Sequence, residues 1–149
     1  MSDRRVAREV VVQTLYEIAH TEESYGRALD SNIERRRGNA AVRAFADRLL
    51  QAIAEHRDEI RAQLAGAIEN WSLERVALVD RCVLEVGCAE LLYFPDVPVA
   101  VVIHEAVDIA RKFSTDESGP FVNGILDRVA HALPPAVPPA MPPPRGAET

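Results

Sequence analysis

The sequence predicts an all-α domain with a proline-rich tail, and three observations carry that prediction. Apolar residues recur at three- and four-residue spacing through successive segments. Aromatics make up only 5% of the 149 residues and glycine is sparse before the tail, a balance that suits helices better than a β-sandwich. Capping and stop residues stand at several segment ends, among them Asn39 and Ser118 at starts and Gly38 at a stop. With 48% apolar and 27% charged residues, the chain is globular and long enough for one domain with a sizeable core. That domain is expected over residues 1–133. Residues 134–149, PPAVPPAMPPPRGAET from Pro134 on, are expected to be an extended, disordered tail.

The elements follow in order. Asp3 to about His20 reads as a first helix, with Ala7, Val11, Leu15 and Ile18 on one line and Val10 and Val12 broadening it. Arg4, Arg5 and Arg8 crowd its opening turns, where positive charge opposes the macrodipole. Two readings stand: a bound anion such as phosphate supplies the missing charge, or the terminus is frayed and solvated. Ser24 to Arg37 is a second helix through Tyr25, Leu29 and Ile33, stopped by Arg35, Arg36 and Arg37 before Gly38. Those arginines suit an ordinary helix end, with a second RNA-facing patch as the other reading.

Asn39 caps a long third helix to about Ile68, its inner side marked by Val42, Phe45, Leu49, Ile53, Ile60 and Leu64. His56 on it has no partner at ligand spacing and reads as structural. Glu69 to Ser72 breaks the pattern, and Ser72 is available as a cap. Leu73 to Phe94 is apolar on nearly every face, as a central helix is, so Asp80, Arg81, Glu85 and Glu90 need solvent, one another or a partner. Pro98 is expected at the first position of a helix over Val99 to Phe113. A last helix is capped by Ser118, tolerates Pro120 in its first turn and buries Phe121, Ile125 and Val129. The adjacent Asn123 and Gly124 are poor helix formers, which points to close packing or a polar contact there.

No run of 18 apolar residues occurs, and the opening MSDRRVARE lacks a signal peptide's apolar region, so a cytoplasmic location is expected. Cys82 and Cys88 lie about 9 Å apart along one helix, too far for a disulfide, and read as small buried apolar residues. A net charge of −6 argues against non-specific coating of nucleic acid but leaves room for a local basic patch. All but one of the 17 basic residues are arginine, the exception being Lys112. The four histidines are scattered, and no phosphate loop, metal-ligand pair or nucleophile elbow occurs, so neither an enzyme nor a cofactor is expected.

Four blocks together resemble the NusB family of transcription antitermination factors. They are RRVARE with QTLY, residues 4–9 and 13–16; VDRCVL with Glu90 and Leu91, from Val79; DVP with IHEAV and ARKF, from Asp96; and FVNGILD, from Phe121 to Asp127. The last block, placed behind the DVP helix, is the family's strongest signature, and the likeness covers about residues 4–131. The resemblance implies an all-α fold of two packed helical subdomains. It also implies pairing with NusE, a small-subunit ribosomal protein, and joint binding of boxA-type single-stranded RNA. This would occur in a transcription elongation complex and support processive transcription of ribosomal RNA operons. Carried over by position, Arg4, Arg5 and Arg8 would contact RNA. Tyr16, Asp80 and Phe121 would fall at the NusE surface, and Glu117 lies in an acidic loop that tunes RNA and partner binding. The chain departs from the family pattern at Gly119 and Pro120, where basic residues are common, at Glu85, where Arg is common, and at His104, often Asn. Two other readings are a protein-only helical adaptor and the NusB-like module of a ribosomal RNA methyltransferase, the latter requiring a truncated chain.

Overall fold

The computed structural model describes residues 2–69 and 72–134. The expected tail therefore lies outside the described residues except for Pro134, as does Trp71 in the break before the central helix. Among the described residues the chain forms seven α-helices, one 3-10 turn and no strand. They are α1 (Asp3–Ile18), α2 (Tyr25–Arg35), α3 (Ala40–Glu55), α4 (Arg57–Ala67), α5 (Leu78–Tyr93), α6 (Val99–Phe113) and α7 (Ser118–Ala132), with the turn at Leu73–Arg75. The all-α expectation holds. The first three helices pack together as one group, and α4 to α7 form the second. The apolar α5 joins them by packing against α1, α3, α4, α6 and α7, so its many-sided hydrophobicity is used on each side.

Capping sets the first three helix starts. Ser2, Ser24 and Asn39 each hold extended backbone, and their side chains accept from the N–H groups of Arg5, Arg27 and Val42. The end of α2 differs from a glycine stop in one respect. Arg37 takes the left-handed conformation at φ 52°, while Gly38 donates its N–H to Ile33 O at 2.9 Å. Gly38 is needed for space, because a Cβ there would sit 2.9 Å from Val42 Cγ1.

Four expectations about boundaries are corrected. The long third helix is two helices, broken at His56 (φ −117°, ψ 26°), whose ring stacks on Tyr93 with centroids 4.1 Å apart. The break lets α4 turn to pack on α5 and α7. Ile53 and Ile60 stay buried on either side of it, so apolar spacing alone could not reveal it. The central helix starts at Leu78 rather than Leu73, because Val76 and Ala77 are extended after the 3-10 turn, and Ser72 makes no side-chain cap bond. Pro98 stands at the cap of α6, one residue before its expected place. Ser118 does not cap α7; it is the first helical residue, and its hydroxyl is committed elsewhere.

Among the described residues, neither the close packing nor the polar contact expected at Asn123 and Gly124 is seen. Asn123 is exposed, and a Cβ on Gly124 would meet nothing nearer than Arg128 Nη1 at 3.8 Å. Close packing between helices falls instead at Gly87 on α5, where a Cβ would lie 2.6 Å from Leu126 Cδ1 of α7. Cys82 and Cys88 are buried free thiols, as expected, and burial pushes both up to about 12. None of the described helices is long and apolar enough to cross a membrane.

Glu85 is 5% exposed on α5, and its nearest cation is Arg61 Nε at 4.0 Å, beyond hydrogen-bond reach. Burial pushes its carboxyl above the usual range, with Arg61, Arg57 and Arg81 pulling only partly back. The folded state therefore holds this proton more tightly than the unfolded chain does. The resulting stabilisation is full below the ordinary Glu value and is lost as pH rises through the raised one. Glu85→Gln, which keeps the shape without the charge, is expected to raise Tm at pH 7 by about 3–5 °C, roughly 1 kcal/mol. The gain should vanish at pH 4; thermal melts at the two pH values check this.

Candidate functional site

The charged opening of α1 does not present three free arginines. Arg8 is 2% exposed and points into the protein, where its Nε and Nη2 donate to Glu90 Oε2 and Oε1 at 2.8 and 2.7 Å. This is a two-pronged pair of the geometry that suits guanidinium to carboxylate. Burial raises the Glu90 carboxyl above the usual range, and the Arg8 pair pulls it only partly back. Arg8 also reaches Glu105 Oε1 at 3.5 Å. Arg5, half-buried, pairs with Glu105 and with Asp108 Oδ2, the latter at 3.0 Å. Two arginines thus face three carboxylates, Glu90, Glu105 and Asp108. The assignment of Arg8 to RNA contact is corrected on this ground. Its guanidinium has no surface to offer a phosphate, because the carboxylate of α5 already occupies its fork.

Glu9, fully buried one residue further on, repeats the pattern: its Oε1 accepts from Arg36 and from Lys112, each at 3.0 Å. Arg36 is therefore turned toward Glu9, and Arg35 bonds Asn32 and lies 3.5 Å from Glu17, which suits the helix-end reading of these arginines over a second RNA-facing patch. Among the sequence-predicted arginines of α1, Arg4 is the one left open. Its guanidinium lies 4.5 Å over the Phe45 ring, and half of its side chain is exposed.

The second cluster forms where α7 begins. Arg75, Val76, Ala77, Asp80, Thr115, Glu117, Ser118 and Phe121 line a cleft of about 430 Å³. Three residues singled out from the sequence, Asp80, Glu117 and Phe121, thus meet at one place although they lie on α5, the α6–α7 loop and α7. Asp80 is only 8% exposed; its Oδ2 accepts from Ser118 Oγ at 3.1 Å, while its buried Oδ1 has no partner. Ser118 Oγ also shares hydrogen bonds with the hydroxyls of Ser114 and Thr115. The start of α7 brings the positive end of its dipole to the Asp80 carboxylate, which offsets part of the cost of burying that charge. Against Asp80 and Glu117 the cleft holds one cation, Arg75, so it is acidic with an apolar floor of Val76 and Phe121. Such a surface fits a partner that offers N–H donors beside an apolar side chain. Arg75, Val76 and Thr115 carried no sequence signal, since they come from a 3-10 turn and a loop whose shape the spacing does not encode.

Tyr16 stays apart from the cleft lining; it is 41% exposed on α1, edge-on to His20 with ring centroids 5.0 Å apart. Glu117 belongs with the cleft rather than with the arginines of α1. Among the described residues no group of three or more His, Cys, Asp or Glu is arranged to hold a metal ion.

Two helical groups joined through one apolar helix, an acidic cleft at the start of α7 and a partly neutralised arginine edge define an all-α binding protein of interaction type. The NusB family model matches residues 5–131, and the chain belongs to the NusB family. It is 42% identical over 135 residues to the transcription antitermination protein NusB of Geobacter sulfurreducens, covering 90% of this chain and 98% of that protein. The NusB of Myxococcus xanthus is 41% identical over 138 residues, covering 89% and 98%. Among solved structures, T. maritima NusB aligns with a TM-score of 0.80 at 35% identity, over 87% of this chain and 91% of that one. A crystal structure of the antitermination factors NusB and NusE in complex with double-stranded RNA aligns with a TM-score of 0.82 at 26% identity, over 89% and 99%.

The Arg8–Glu90 pair gives a direct test of a structural role. Arg8→Ala leaves a buried carboxylate alone and is expected to cost about 3–5 kcal/mol in urea unfolding. Replacing both residues with apolar ones of similar size, Arg8→Met with Glu90→Leu, should recover most of the loss. An unchanged midpoint for Arg8→Ala would return the residue to a surface role.

Proposed function

We propose that this chain is an antitermination factor that binds boxA-type single-stranded RNA together with NusE, and so supports processive transcription of ribosomal RNA operons. The observation that carries this reading is the meeting of Asp80, Glu117 and Phe121 at one acidic cleft in a chain of the NusB family. A NusB relative aligned over nearly all of its length is seen bound to NusE and RNA, which supports the same two partners here. The cleft is the surface for the protein partner. Phe121 supplies the apolar contact, and Glu117 stands beside it as an exposed carboxylate for a partner's donor.

RNA is held at the arginine edge, where Arg4 is open and Arg5 is held by Glu105 and Asp108. Arg8 acts there through position, fixing α1 against α5. An acidic body of net charge −6 confines RNA to this edge, and the ribosomal protein partner adds positive charge of its own. Binding would then be cooperative, with the pair holding RNA more tightly than this chain alone.

A gel shift with boxA RNA, run with and without NusE, tests the reading. The ternary complex is expected to form and the binary RNA complex to be much weaker. Phe121→Ala is expected to weaken NusE binding by about tenfold or more, as loss of an aromatic anchor does, with a modest fall in Tm because the ring also packs partly on the core. NusE binding without any RNA shift would instead make the chain a protein-only adaptor, and binding of neither would reject the proposal.

A further inference from the structure

Arg48 was absorbed by none of the interactions above, yet it stands beside Arg4 in the same kind of setting. The Arg48 guanidinium lies 4.3 Å over the Phe94 ring, as that of Arg4 lies 4.5 Å over Phe45. The two rings pack edge to face with centroids 5.6 Å apart, so α1, α3 and the end of α5 present two ring-backed cations side by side. Between them sits one carboxylate, Asp96 from the α5–α6 turn. Its Oδ1 accepts from Arg48 Nη2 at 3.1 Å, and its Oδ2 lies 3.7 Å from Arg4 Nη2. All three side chains are about half exposed, at 48 or 49%.

From this arrangement we infer that Arg4 and Arg48 form a two-arginine seat for a backbone phosphate of single-stranded RNA, and that Asp96 is the stand-in anion which the phosphate displaces. The inference rests on the RNA-binding reading above and names where on the surface the phosphate is held. Stacking on a ring fixes each guanidinium plane, so little side-chain freedom remains to be lost on binding. Each guanidinium carries five N–H donors, and Asp96 engages few of them. Arg5 and Arg8 face an excess of carboxylates, whereas here two cations share one. The site is therefore a local surplus of positive charge on an acidic chain. Asp96 is also replaceable, because a half-exposed ion pair is weak and screened by salt, whereas a phosphate can take both guanidinium forks at once. Slight burial acts against it, but the Arg48 hydrogen bond and the Arg4 charge hold the Asp96 carboxyl below its usual range, so it is ionised at neutral pH.

The sign of two substitutions separates this from a surface salt bridge of structural use. Labelled boxA RNA is titrated with the full chain and NusE across a salt series, with anisotropy as the readout and Tm measured alongside. Arg48→Gln is expected to weaken RNA binding about five- to tenfold and to lower the magnitude of the log–log salt slope by about 0.7, one phosphate contact on a single strand. Asp96→Asn, which breaks the same ion pair, is expected to tighten binding about two- to fivefold. Arg48→Lys, which keeps the charge and loses the planar fork, should fall between wild type and Arg48→Gln. If the Gln and Asn variants shift affinity in the same direction, or the Gln variant keeps the wild-type affinity and slope, the seat is overturned while RNA binding itself stands. If wild type with NusE binds no RNA, the broader reading fails and the seat fails with it.

Discussion

The buried pair between Arg8 on α1 and Glu90 on α5 is the constraint on which the rest of this structure depends. Bringing both charges out of water is costly, and only the two-pronged geometry at 2.7 and 2.8 Å makes burial tolerable. The same logic recurs along α1. Arg5 is clamped to Glu105 and Asp108 of α6, and Glu9 takes Arg36 from the end of α2 and Lys112 from the end of α6. The helix is therefore tied to α2, α5 and α6 by charged side chains as well as by its apolar line. A hydrophobic face permits some sliding and rotation of one helix on another. Paired guanidinium and carboxylate groups fix register, because a small shift strands a buried charge.

That use of charge decides what is left for binding. Arg8 and Arg36 are spent inside the protein, and Arg5 is largely neutralised, so the arginine count of the sequence overstates its free positive surface. Beside them Arg4, backed by Phe45, stays half exposed, with Arg48 as its neighbour across Asp96. At the start of α7 the balance reverses. Asp80 and Glu117 outnumber Arg75, and one carboxylate oxygen is left without a donor. Among the described residues, the cleft at the start of α7 is thus acidic, while the Arg4–Arg48 place is locally basic. An acidic body keeps the basic place the preferred seat for an anion.

Much of the fold was legible because helix periodicity is local. Ala7, Val11 and Leu15, or Val122, Ile125, Leu126 and Val129, lie on buried stripes that three- and four-residue spacing predicts. Capping by Ser24 and Asn39 is equally local, since the acceptor and its N–H donor are three residues apart. The misreadings are the places where a residue had a distant partner. Ser118 looks like a cap until Asp80, 38 residues earlier, takes its hydroxyl. His56 breaks a helix whose apolar spacing runs on unbroken, and its ring rests on Tyr93 of α5. Asn123 and Gly124 suggest crowding, yet Asn123 is exposed and the crowding lies at Gly87 instead. The candidate site divides in the same way. Asp80, Glu117 and Phe121 were named from a motif, but their meeting at one cleft, and the separation of Tyr16 from its lining, belong to the packing of α5 against α7.

By itself the sequence determined the helical class, most of the helix faces, the apolar character of the central helix and the block of signatures that marks the family. These are properties of neighbours within a turn or two, and short-range sterics and patterning set them. Only the tertiary structure decided which charged residues are structural and which are available. A guanidinium has the same chemistry in Arg4 as in Arg8; one lies on a ring at the surface and the other inside a carboxylate fork, 82 positions away along the chain. Long-range partners choose between those fates, and no local pattern records them.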